Sequence, residues 1–161
     1  MLQVLTAIKP SASSAPTTTI VDNTVVITWT PPSLNSLADY GAVITSYKIL
    51  IEHTGSGFDL ELSYCNGNDP IIVANTKCTI PLDVVMAYPF DLVLTDHVVA
   101  KIITTNIQGD SPESPTGNGA VVYISVPPDP PKNLLRVDAL TDSTKVTFTW
   151  ADGDFNGGQI V

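Results

Sequence analysis

The side chains in this chain that could do chemistry are few, and most of them stand alone. Cys65 and Cys78 bracket the stretch Asn66–Lys77. Their spacing is too wide for a redox Cys-x-x-Cys pair, and two thiols with two sequence-distant histidines do not make a zinc site. A disulfide is the chemistry that suits them, with two buried free thiols as the alternative. A bridge here would stabilise the fold by about 3 kcal/mol through loop closure, and it implies an oxidising compartment, outside the cell or at its surface. His53 ends one apolar run and His97 begins another, so each reads as a strand-end residue rather than a base. The chain has no Gly-x-Ser-x-Gly, no phosphate loop and no His-Glu-x-x-His. No catalytic residue, cofactor or metal site is therefore expected, and the chain reads as a non-enzyme.

Weaker signals occur in three other places. Asp152-Gly153-Asp154-Phe155-Asn156-Gly157 opens like a calcium loop but lacks the bidentate Glu that closes one, and Asn66-Gly67-Asn68-Asp69 is a fainter version; Asp, Asn and Gly serve turns equally well. Ser11, Ser13, Ser14, Thr17, Thr18 and Thr19 lie among Pro10 and Pro16. Outside the cell such a cluster is a candidate for O-linked sugar; the alternative is an unmodified linker. No Asn-x-Ser/Thr sequon is present.

The elements that carry these residues read as β-strands. Of the 161 residues 43% are apolar, rich in Val, Ile and Thr, and only 14% are charged, which favours strands over surface helices or disorder. Runs with period-two alternation fall at Leu2–Ile8, Thr17–Val21, Thr24–Thr30, Ser46–His53, Phe58–Tyr64, Lys77–Ile80, His97–Thr105 and Gly119–Ser125. Ile71–Ala74 is expected as a short strand inside the cysteine loop, and Pro81–Pro89 as one short helical turn. Lys9–Pro16 and Pro127–Pro131 read as linkers, the second stiff and extended. The net charge of −9 argues against nucleic acid as a partner. No apolar run reaches the length of about 18 residues that a spanning helix needs, and the first ten residues do not form a signal peptide.

The chain also repeats itself. Pro16 to Val21 followed by Thr24-Val-Val-Ile-Thr-Trp29 returns as Pro131 to Val137 followed by Lys145-Val-Thr-Phe-Thr-Trp150. Short strands separated by turns, without a long amphipathic helix, imply an all-β Greek-key sandwich. Trp29-Thr-Pro-Pro32, the loop ending in Gly41, Ile44-Thr-Ser-Tyr47-Lys-Ile49 and Ala100-Lys-Ile-Ile-Thr-Thr-Asn106-Ile-Gln-Gly109-Asp-Ser111 resemble a fibronectin type III domain, an immunoglobulin-like sandwich. The Cys65/Cys78 insertion, between the strands lettered C′ and E in that family, resembles the variant found in tandem arrays of large surface proteins of single-celled eukaryotes. The stretch His97-Val-Val-Ala100 departs from the family pattern, which often has a tyrosine there.

The resemblance implies a domain layout. Residues 1–15 would be the last strand of a preceding repeat plus linker, 16–126 a complete domain, and 127–161 a linker and the first strands of a following, incomplete repeat. Trp29, Tyr47 and Trp150 are expected core residues. Gln108-Gly109-Asp110 falls on the turn where some family members carry an adhesive Arg-Gly-Asp, without the arginine. The function implied is a non-catalytic repeat module of an extracellular surface protein or fibre. Its partners would be neighbouring repeats, with filaments formed through edge strands and linkers; the alternative is an adhesion module binding through loops at one end.

Overall fold

The computed structural model describes residues 7–33, 42–123 and 127–154. The chain divides into two compact units, Met1–Val122 and Tyr123–Val161.

In the first unit, β1 (Thr17–Val21) and β2 (Thr24–Thr28) form a hairpin, paired from Thr17↔Thr28 to Val21↔Thr24. Asp22 and Asn23 make the two-residue turn, both with positive φ, as the twist of a tight hairpin requires. β3 (Ile44–Glu52) pairs with β4 (Phe58–Leu60) on one side. Helix α1 (Pro70–Asn75) leads into β5 (Lys77–Pro81), and α2 (Leu82–Val85) is a single turn, as expected. β6 (His97–Val98) and β7 (Ala100–Asn106) are one expected strand interrupted at Val99. β8 (Gly109–Asp110) and β9 (Ala120–Val121) are the two ends of the returning strand.

These strands make two layers. One is the three-stranded sheet β1-β2-β5; the other is β4-β3-β7-β8, continued by the β6-β9 pair, and every pairing is antiparallel. This order is that of an all-β, immunoglobulin-like Greek-key sandwich of the fibronectin type III kind. Alternation sends Val25, Ile27 and Ile80 from one sheet, and Ile49, Ile51, Ile102 and Ala100 from the other, into a core that excludes solvent. At one end Trp29, 5% exposed, meets Tyr47 edge-on with ring centroids 5.1 Å apart. Burial raises the Tyr47 phenol above its ordinary pKa, and the neighbouring Trp29 indole pulls it the other way.

The strand from residue 109 to 121 is unusual, because Pro112 and Pro115 cannot donate to a ladder. Two serines repair it. Ser111 N–H donates to Thr104 O (2.8 Å) while Ser111 Oγ accepts from Thr104 N–H (2.9 Å). Ser114 repeats the device on Ile102, at 2.9 and 3.0 Å. Each hydroxyl then donates to the carbonyl of the proline after it.

Several sequence expectations change. Ile71–Ala74 is helical, not a strand: the Asp69 carboxylate caps the first turn at Ile71 N–H, and Pro70 stands where its missing donor costs nothing. The strand expected to run to Tyr64 stops at Leu60, because Glu61 turns inward. Lys9–Pro16 is not a free linker but packs on the sandwich, as set out below. Residues 2–6 of the expected strand Leu2–Ile8, residues 34–41 of the loop ending in Gly41 and residues 124–125 of the expected strand Gly119–Ser125 lie outside the described residues.

In the second unit β10 (Lys132–Arg136) and β11 (Phe148–Ala151) pair antiparallel around a 3-10 turn at Asp138–Leu140. Trp150 is 60% exposed, so it is not a core residue in this structure. The described residues of this unit form one two-stranded sheet, and without a second layer its indole has nothing to bury against. Trp29→Ala should therefore cost the first unit about 3–5 kcal/mol, and Trp150→Ala at most about 0.5 kcal/mol, in urea unfolding followed by circular dichroism.

Candidate functional site

The sequence candidates separate into those the fold brings together and those it leaves apart. His53 and His97 line one shallow cleft of about 310 Å³ with Glu52 and Asp96. Each ring is committed through Nδ1 to a backbone carbonyl, His53 to Thr54 O (3.0 Å) and His97 to Gly119 O (3.3 Å). A carbonyl only accepts, so Nδ1 carries the proton in both. Asp96 is occupied in turn by Val93 N–H. Among the described residues no group of three or more His, Cys, Asp or Glu side chains is placed to hold a metal. The fainter calcium signal, Asn66–Asp69, is a turn and helix cap: Asn66 Oδ1 accepts from Asn68 N–H and Asp69 caps α1; in the other motif Asp154 pairs with Lys132. Phe155, Asn156 and Gly157 lie outside the described residues.

Cys65 and Cys78 do form a disulfide, with S–S 2.06 Å and Cα atoms 5.4 Å apart. It joins the crossover after β4 to β5, which are edge strands of opposite sheets, and so ties the sandwich shut along one open side. Two features fit the crossover to that task. Glu61 is buried, and its carboxylate accepts from Ser63, Tyr64 and Cys65 N–H groups at 2.6–3.3 Å, three donors that the turn would otherwise leave unpaired. Gly67 then returns to β3, accepting Tyr47 N–H at 3.0 Å; a Cβ on Gly67 would stand 1.8 Å from Tyr47 O, so only glycine passes. The cleft beside the bridge, about 580 Å³, is open and lined by Tyr64, Ile71, Asn75 and Lys77 among others.

The opposite open side is closed by Thr18 and Thr104 of expected strands, by Ser13 of the expected linker and by Asn118, which the sequence did not single out. Thr18 is buried, and its hydroxyl donates to Val98 O (2.9 Å) and accepts from Ala120 N–H (2.8 Å). The Asn118 amide pairs with the Thr18 backbone as a strand would, accepting from its N–H (2.7 Å) and donating to its carbonyl (3.1 Å). Ser13 is buried with its hydroxyl 2.7 Å from that of Thr104. Ser13 and Thr18 are therefore not available for O-linked sugar: both hydroxyls are spent inside. Ser11, Ser14, Thr17 and Thr19 are exposed.

The turn Gln108-Gly109-Asp110 is likewise engaged. Asp110 accepts from Lys48 (2.5 Å) and Thr105 (2.7 Å), which hold its carboxyl below the usual carboxylate range. Asn106 Oδ1 accepts Gln108 N–H at 2.8 Å, and Gly109 adopts φ +117°. Sequence reasoning found this turn and the bridge. It missed Glu61 and Asn118; an acid between Leu60 and Leu62, and an Asn between two glycines, were the only signals.

No protein-family model matches the chain, and no curated protein does. Among solved structures it is similar to the twitchin kinase region from C. elegans, at 20% identity over 73% of this chain and 18% of that one, TM-score 0.49. A titin domain segment is similar at 18% identity over 71% and 32%, TM-score 0.49, and the FN1–FN3 domains of chicken CNTN1 at 18% over 88% and 42%, TM-score 0.46. The chain spans less than half the length of each. These likenesses add nothing to what the strand order shows.

Two outcomes follow from the crossover. Reducing the bridge, or replacing both cysteines by serine, should lower stability by about 3 kcal/mol, read as a shift of the urea midpoint. Glu61→Ala should cost about 1–3 kcal/mol in the same assay, since it strands buried N–H groups.

Proposed function

We propose that this chain is a non-catalytic structural module of a tandem array, in which residues 16–126 form one repeat and 127–161 begin another. The observation that carries this reading is the first unit's closure: both open sides of its sandwich are sealed, and both of its histidines are committed to backbone carbonyls. The recurrence of Pro16–Trp29 as Pro131–Trp150 supports repetition. The disulfide favours an extracellular or cell-surface setting, because thiols stay reduced in most intracellular compartments. Among the described residues no helix is long and apolar enough to cross a membrane.

Filament growth by edge-strand pairing is the less favoured mode of assembly. The β1 edge is occupied at Thr18 by Asn118, the returning strand offers prolines at its edge, β4 has three residues, and α1 lies against β5. Contacts through linkers and sandwich ends remain the better route. A second reading, adhesion through one end, is favoured by Val43 and Ile107. They flank the Ile44↔Asn106 pair and are 72% and 81% exposed.

Negative-stain electron microscopy of the native full-length polypeptide distinguishes them. An array appears as beads at a uniform spacing of about 30–40 Å, the length of such a sandwich. A single compact particle that binds a cell surface, and loses binding with Ile107→Asp, would instead favour adhesion.

A further inference from the structure

The segment Ile8–Pro16 has the composition of a flexible linker, yet it is held at every level of the sandwich it enters. Ile8 O accepts from Asn106 Nδ2 at 2.6 Å. Pro10 is buried, and the Lys9 stem lies over Gly109, where an added Cβ would meet its Cε at 3.3 Å. Ser13 and Thr104 share a hydroxyl pair with neither oxygen in water. Ser14 N–H donates to Thr30 O at 3.2 Å, beyond the end of the β1–β2 pairing. Pro16 is buried so close to Gly117 that a Cβ there would stand 2.6 Å from Pro16 O.

The chemistry makes this docking specific. Thr104 faces the core, where an unpaired hydroxyl is costly, and Ser13 supplies its partner. Asn106 serves two masters: its oxygen shapes the turn at Gln108 while its amide N–H holds Ile8. The conformation of that turn and the docking of the segment are therefore coupled through one side chain.

We propose that Ile8–Pro16 is a clamp rather than a linker, and that the Asn106–Asp110 turn is its receptor. Ile8 is thereby pinned to the end of the sandwich. Load arriving through the N-terminal side reaches β7 through Asn106 and Thr104, and the end of β2 through Thr30, as well as β1. Within the array reading, the chain enters each such repeat at a fixed point and direction.

Hydrogen exchange on the full chain tests this. The Ser14 amide should exchange at least about 100-fold more slowly than in an unstructured peptide, and elastase should leave the Ala12–Ser13 bond intact in the folded protein. Ser13→Ala should cut protection at Ser14 by about tenfold while the amides of Ile27 and Ile49 keep theirs. Residues 8–15 exchanging at the intrinsic rate in the wild type, or rapid elastase cleavage at Ala12 with the core intact, would overturn the proposal whether or not the variant folds. Either result would leave the array reading standing, since the presence of a row of beads in micrographs does not depend on how stiff the entry is.

Discussion

Two stacked sheets leave two open sides, and the first unit stands or falls on how those sides are closed. The facing layers bury Val25, Ile27 and Ile80 against Ile49, Ile51 and Ile102, but water could still reach this core laterally. One side is closed covalently. The Cys65–Cys78 bridge ties the crossover after β4 to β5, the edge strand of the opposite sheet, with Glu61 and Gly67 shaping the crossover that delivers Cys65. The other side is closed by hydroxyls and one amide: Thr18, Asn118, Ser13 and Thr104. Both closures pair every buried polar group they introduce, which is the condition for burying such groups at all.

The same closures protect the molecule against itself. A sheet edge with free N–H and C=O groups invites pairing with another chain. Here Asn118 mimics a strand beside Thr18, and Ser111 and Ser114 let a proline-bearing strand complete the ladder on Thr104 and Ile102.

Trp29 and Trp150 share a local sequence but not an environment. Trp29 directly follows β2, and Trp150 is the third of four residues in β11. Trp29 lies against Tyr47 of the opposing sheet, whereas Trp150 has no opposing sheet among the described residues. Burial belongs to the layer that covers a strand, not to the strand. The Ser/Thr cluster makes the same point: six similar hydroxyls divide into Ser13 and Thr18, buried, and four that face water.

Alternating Val, Ile and Thr, punctuated by Pro and Gly, were enough by themselves to determine an all-β sandwich and the turn at Asn106–Gly109, and the two cysteines favoured a bridge over free thiols. Each of these rests on local periodicity, or on a pair of residues whose chemistry leaves few options. Tertiary structure alone decided that Ile71–Ala74 coils behind its Asp69-Pro70 cap, that Lys9–Pro16 docks, that Glu61 and Asn118 hold the seams, and that Trp150 is bare. Those outcomes depend on which backbone groups lie across a gap from residues distant in the chain, and no window along the sequence contains both partners.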